Sequence, residues 1–63
     1  MPNGAEIIRD ALNDFQRIQA HMFLAKKENA TETYASLKND YISLKALLTS
    51  LGVNLSEIDK IKE

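Results

Sequence analysis

Apolar residues along this chain recur at alternating spacings of three and four. In the first half Ile8, Ala11, Phe15, Ile18, Met22 and Ala25 form such a series, with Ile7 and Leu12 widening the stripe on either side. In the second half Tyr34, Leu37, Tyr41, Leu44, Leu48 and Leu51 repeat it, with Leu47 alongside. That rhythm keeps side chains on one face of a helix of 3.6 residues per turn, so each series predicts an amphipathic helix. A shorter series follows at three-residue spacing: Leu55, Ile58 and Ile61. Between Ala25 and Tyr34 the phase slips by a gap of nine, which a continuous heptad pattern does not give. The first two helices are therefore separate. A link of a few residues around Asn29 to Thr31 folds them into an antiparallel hairpin.

The punctuation agrees with this division. Asn-x-x-Glu occurs three times, as Asn3-Gly4-Ala5-Glu6, Asn29-Ala30-Thr31-Glu32 and Asn54-Leu55-Ser56-Glu57. An Asn at a helix start accepts from the free backbone N–H groups, and a Glu three residues on reaches back to the cap's own N–H. Each copy thus predicts a helix N-terminus. Gly52, just past the second series, suits a helix end that needs φ > 0, and Val53 is placed for the apolar contact that accompanies such a cap. Val53 and Ile58 also fit a hydrophobic staple around Asn54. The expected architecture is all-α, a single small domain over 1–63. It comprises an antiparallel hairpin of helices over about 4–28 and 30–51, plus a short C-terminal helix over about 55–62. At two turns, that last helix has no stability of its own and must dock or fray.

Size makes self-association the expected way to complete the core. A chain of 63 residues buries only about 60% of the surface its unfolded form exposes. Phe23 and Leu24 lie off the first seam, Ile42 lies off the second, and the third segment is too short to cover both long helices. Leaving large apolar side chains wet forgoes about 1.5–3 kcal/mol each, against a total stability of roughly 5–15 kcal/mol. The simplest solution is a homodimer whose two hairpins make a four-helix bundle. Its contact residues would be Phe15, Met22, Phe23, Leu24, Tyr34, Tyr41 and Ile42. A monomeric three-helix bundle is the alternative. Tyr34 and Tyr41, on the second seam, read first as core filling with the hydroxyl at the edge, and alternatively as partner-binding anchors. The two-hairpin layout resembles that of the Rop-type RNA-binding regulators of plasmid copy number. The likeness is in length and layout only, so no function carries over.

Charge and composition narrow the function by exclusion. Lys and Arg number 8 against 9 Asp and Glu, a formal net charge of −1, with the signs alternating along the chain. No basic stripe for phosphate contacts stands out, and the one doublet, Lys26-Lys27, falls where cations suit the end of the first helix. With no Cys, disulfides, thiolate metal sites and thiol catalysis are excluded. Met1 to Glu6 offers neither the basic nor the apolar region of a signal peptide, and no apolar run approaches the roughly 20 residues that span a bilayer. The expected location is the cytoplasm, away from membranes.

Candidate chemistry is sparse. His21 stands seven residues after Asp14 on one helix face, with Arg17 nearby. Carboxylate-bridged metal sites in bundles combine a Glu-x-x-His with further Glu residues, and the sequence has no Glu-x-x-His; structural zinc wants four ligands. His21 is read as a seam-edge residue pairing with Asp14 or water. Glu6, Asp10 and Asp14 make a ladder of like charges, each pair costing a few tenths of a kcal/mol and offset by the helix N-terminus. A paired-carboxylate active site would need a cleft, which so few short helices rarely form. Ser36, Ser43, Thr49, Ser50 and Ser56 lack a patterned His, and no Gly-rich phosphate loop is present. Asn29-Ala30-Thr31 matches the glycosylation acceptor pattern but reads as a helix cap. No catalytic, cofactor-binding or metal residues are expected. The expected function is a non-enzymatic adaptor, assembly or regulatory protein that binds another protein, itself included.

One local motif points elsewhere. From Leu47 to Ile61 the chain resembles the helix-turn-helix of phage repressors and Cro-type proteins, with its Leu51-Gly52-Val53 turn, Ile58 six residues after the Gly and Ile61 three further on. The resemblance implies a second helix that enters the major groove, and hence a small DNA- or RNA-binding regulator as the alternative function. The sequence departs from the motif at Leu48, where a small residue is preferred, and in the length of the preceding helix. Glu57, Asp59 and Glu63 also outweigh Lys60 and Lys62 in the would-be recognition helix.

Overall fold

The computed structural model describes residues 4–63. Helix α1 runs Gly4–Lys27 and helix α2 Thr31–Ser50, packed against each other as a hairpin. The remaining residues, 51–63, form a strap that folds back over one side of the hairpin. The molecule measures 39 × 24 × 14 Å. A helix with side chains is about 10–12 Å across, so the hairpin is a single helical layer. Among the described residues there is no strand, and no helix is long and apolar enough to cross a membrane.

Both stripes face inward as their period requires. Ala11, Phe15, Ile18, Met22 and Ala25 of α1 are buried, as are Tyr41 and Leu48 of α2. Tyr34, Leu37 and Leu44 pack against them at the margin, and Leu55, Val53, Ile58 and Ile61 of the strap close the cluster. At its centre the rings of Phe15 and Tyr41 stack with centroids 5.3 Å apart and planes 16° from parallel.

The helix ends correct part of the expectation. Asn29 does not cap the start of α2. It has φ 57 and closes the end of α1. The Asn29 N–H donates to the Lys26 carbonyl, and the Ala30 N–H to the Ala25 carbonyl, at 3.1 and 2.8 Å. These two bonds define a Schellman end, and Asn is the commonest non-Gly residue to take the left-handed position there. Ala30 instead takes the N-cap position of α2, and its side chain makes no capping bond. The end of α2 repeats the device as expected: Gly52 has φ 83, its N–H donates to the Thr49 carbonyl, and the Val53 N–H donates to that of Leu48. Asn54 does accept from a following backbone N–H, that of Ser56 at 3.0 Å. The capping expectation at Asn3 lies outside the described residues.

The helix expected over 55–62 is a single turn. The Ile58 and Asp59 N–H groups both donate to the Leu55 carbonyl, after which the chain bends and Lys62 takes φ 58. The physical reason is competition for the next four N–H groups. Those of Lys60 and Ile61 donate to the Gln19 side-chain oxygen, that of Lys62 to the Asp59 carboxylate, and that of Glu63 to the Tyr41 hydroxyl. A two-turn helix contributes too little by itself to outbid such partners.

Candidate functional site

The strap is held by a polar clasp built from both helices. On α1, Gln19 sits one turn after Phe15 at the edge of the stripe and is 97% buried, its exposure being 3%. Its amide nitrogen donates to the Ile58 carbonyl at 3.1 Å while its oxygen accepts from Lys60 and Ile61. One side chain thus satisfies three backbone groups of the strap. On α2, Tyr34, Lys38, Tyr41 and Lys45 recur at spacings of four, three and four, so they line one face. The Tyr41 hydroxyl donates to the buried Asp59 carboxylate at 2.6 Å, and Lys45 pairs with the other carboxylate oxygen at 2.8 Å. The Lys45 ammonium also donates to the Glu63 carbonyl at 2.9 Å and lies 5.5 Å from the Tyr41 ring centre. Nearer the hairpin link, Lys38 pairs with the Glu63 carboxylate at 3.0 Å and the Tyr34 hydroxyl donates to it at 3.4 Å.

This clasp is electrostatically closed. Burial pushes the Asp59 carboxyl up, but hydrogen bonds from Lys45, Tyr41 and the Lys62 N–H outweigh it and leave the group below its ordinary value. Burial raises the Tyr41 phenol, and its bond to Asp59 raises it further. The hydrogen bond to Asp59 raises Lys45. Among the described residues no buried side-chain nitrogen or oxygen lacks a partner. Neither Gln19 nor Asp59 stood out in the sequence. The signal for Gln19 is position: it is four after Phe15 and three before Met22, bordering the core stripe, where a long polar residue needs partners.

The structure divides the seven expected contact residues. Phe15, Met22 and Tyr41 are fully buried inside the chain's own core, so they present no surface to a partner. Tyr34 is half-buried and engaged with the strap. Phe23, Leu24 and Ile42 stand open, 50%, 52% and 49% exposed. Three further residues join them: Ile7, Leu47 and Leu51, at 44%, 43% and 42%. Leu47 and Leu51 are one turn apart near the end of α2. Because the hairpin is antiparallel, Ile7 in the first turns of α1 lies at that same end. The sequence pattern placed Leu51 on the second seam and Ile7 and Leu47 beside the seams, but a single helical layer leaves the outer edge of each seam uncovered.

The polar residues weighed for chemistry are dispersed. Asp14 pairs with Arg17 at 3.0 Å rather than with His21, which is exposed. Asp10 is within 3.5 Å of Arg9, so the acidic ladder is partly neutralised. Among the described residues no group of three His, Cys, Asp or Glu is arranged to hold a metal ion. The segment that the helix-turn-helix likeness would make a recognition helix is the strap, with its single turn. No protein-family model, curated protein or solved structure significantly matches this chain.

Proposed function

We propose that the protein is a small, non-enzymatic helical interaction module of the cytoplasm that acts as a homodimer and serves as an adaptor, assembly factor or regulator of another protein. One observation carries this reading. Among the described residues of this 63-residue chain, six large apolar side chains stand 42–52% exposed, while the buried polar groups are spent on holding its own strap. Scattered exposed apolars are normal on a protein surface. Here, however, three of them converge at one end of a molecule whose whole accessible surface is 4565 Å². A standard interface takes about 800 Å² from each partner, roughly a sixth of that surface. Two hairpins paired into a four-helix bundle would cover such an area. The outer faces and loops that pairing leaves open would then serve a further protein.

Light scattering across a hundredfold range of concentration tests the dimer. The expected result is twice the chain mass in the upper micromolar range, falling toward the single-chain mass on dilution. A single-chain mass throughout would remove the basis of the reading.

A further inference from the structure

We infer that the groove holding residues 55–63 is also the binding site for that same segment of a second copy, so that two chains exchange straps across the hinge at Leu51 to Asn54. This rests on the homodimer reading and says how the two copies engage. The long-range bonds of the strap all run to hairpin side chains: Gln19 to Ile58, Lys60 and Ile61; Tyr41 and Lys45 to Asp59 and Glu63; Lys38 and Tyr34 to Glu63. Each of these bonds forms identically whether the strap belongs to the same chain or to another. The hinge is different. Its hydrogen bonds stay within a few residues, from Gly52 to Thr49, from Val53 to Leu48 and from Ser56 to Asn54. A change of path there gives up the α2 end bonds and the packing of Val53 against the core but leaves the clasp intact.

The occupant is specified by the groove. An amide that reads one carbonyl and two nearby N–H groups needs a bent backbone, Lys45 and Tyr41 need a buried carboxylate, and the apolar floor takes side chains at the positions of Leu55, Ile58 and Ile61. An apolar surface alone would leave the buried Gln19 without those bonds, and unpaired buried polar groups are strongly disfavoured. The segment known to meet all three demands is this chain's own. Held in cis, it acts at an effective concentration of roughly millimolar order, so exchange needs an added contact between the copies. Ile7, Leu47 and Leu51 provide it, since they stand exposed at the hinge end, where two crossing connections would bring the second copy. Exchange of an identical element is a low-cost route to a symmetric dimer.

The test uses the full chain carrying Phe23→Cys and Lys60→Cys. Both residues are exposed, they line the same shallow cavity between α1 and the strap, and the unaltered chain has no Cys. A short bis-maleimide is added at a concentration where light scattering gives a dimer, and the product is run on a denaturing gel. The expected result is a covalent dimer, with each single-Cys variant giving none. A dimer in solution whose cross-linked chains run as monomers would overturn the exchange and leave the homodimer standing. A monomer in solution would overturn both. If the double variant fails to fold, the unaltered chain decides the matter in a half-isotope-labelled sample. Intermolecular NOEs between the Gln19 side-chain amide and residues 58–61 support the exchange, and purely intramolecular ones overturn it.

Discussion

Gln19 and Asp59 show how much a single side chain can redirect. Each is a polar residue set among apolar ones, and each ends more than nine-tenths buried with its hydrogen bonds satisfied. Replacing Gln19 by Leu keeps the volume but strands the Ile58 carbonyl and the Lys60 and Ile61 N–H groups. We expect a loss of about 2–3 kcal/mol, measured by urea unfolding, together with rapid hydrogen exchange at residues 60–63 while the α1 core stays protected. Asp59→Ala removes the acceptor shared by Tyr41, Lys45 and Lys62, at an expected cost of about 2–3 kcal/mol. The pH dependence follows from the direction of its shift. A carboxyl held below its ordinary value in the folded state contributes stability that is fully present above the ordinary carboxylate range of about 4. That stability is lost as pH falls through the lower, folded value. Acid should therefore loosen the strap, and Asp59→Asn should flatten that part of the stability curve. At the other extreme, Tyr41 and Lys45 are raised, so their contribution holds below about pH 10 and fades as pH climbs through the folded values.

At the scale of the elements, the helices were legible and their boundaries nearly so. Both stripes pack inward, and the Gly52 end of α2 forms as the Leu51-Gly52-Val53 spelling implies. Gly52→Ala should cost about 1 kcal/mol, because a Cβ disfavours the left-handed conformation at φ 83. In a domain of this size that is a fall of roughly 4–8 °C in the thermal midpoint. Asn29 is the instructive miss. The same residue type favours a helix start through its side-chain oxygen and a helix end through its tolerance of φ > 0. In a link this short the two roles fall on neighbouring positions. The bonds to Ala25 and Lys26 show the second role winning. Asn29→Gly is thus expected to leave stability equal or slightly higher, and Asn29→Ser to lower it, by thermal denaturation. The third helix failed for a different reason. Its cap and apolar spacing were correct as local signals, but the partners that took the Lys60, Ile61 and Glu63 N–H groups lie about 20 and 40 residues earlier in the chain.

For the whole molecule, the question is which apolar surface a second copy covers. Leu47 lies at the hinge end, whereas Leu24 lies near the opposite end, close to the hairpin link, nine residues or two and a half turns after the core-facing Phe15 and so on the opposite side of the helix. Leu47→Glu should weaken the dimer tenfold or more without unfolding the chain, while Leu24→Glu should change it by no more than about twofold. Sedimentation equilibrium of the two variants checks both. By itself the sequence determined the helix class, the two long helices, the antiparallel turn between them and most of the core, because these follow from local periodicity and from residues that suit helix ends. Only the tertiary structure decided that residues 55–63 become a strap, that Phe15, Met22 and Tyr41 lie inside rather than at an interface, and that Gln19 and Asp59 form a buried clasp. Those outcomes depend on hydrogen bonds between residues far apart in the chain, which no local pattern records and which outweigh the weak helical preference of a short segment.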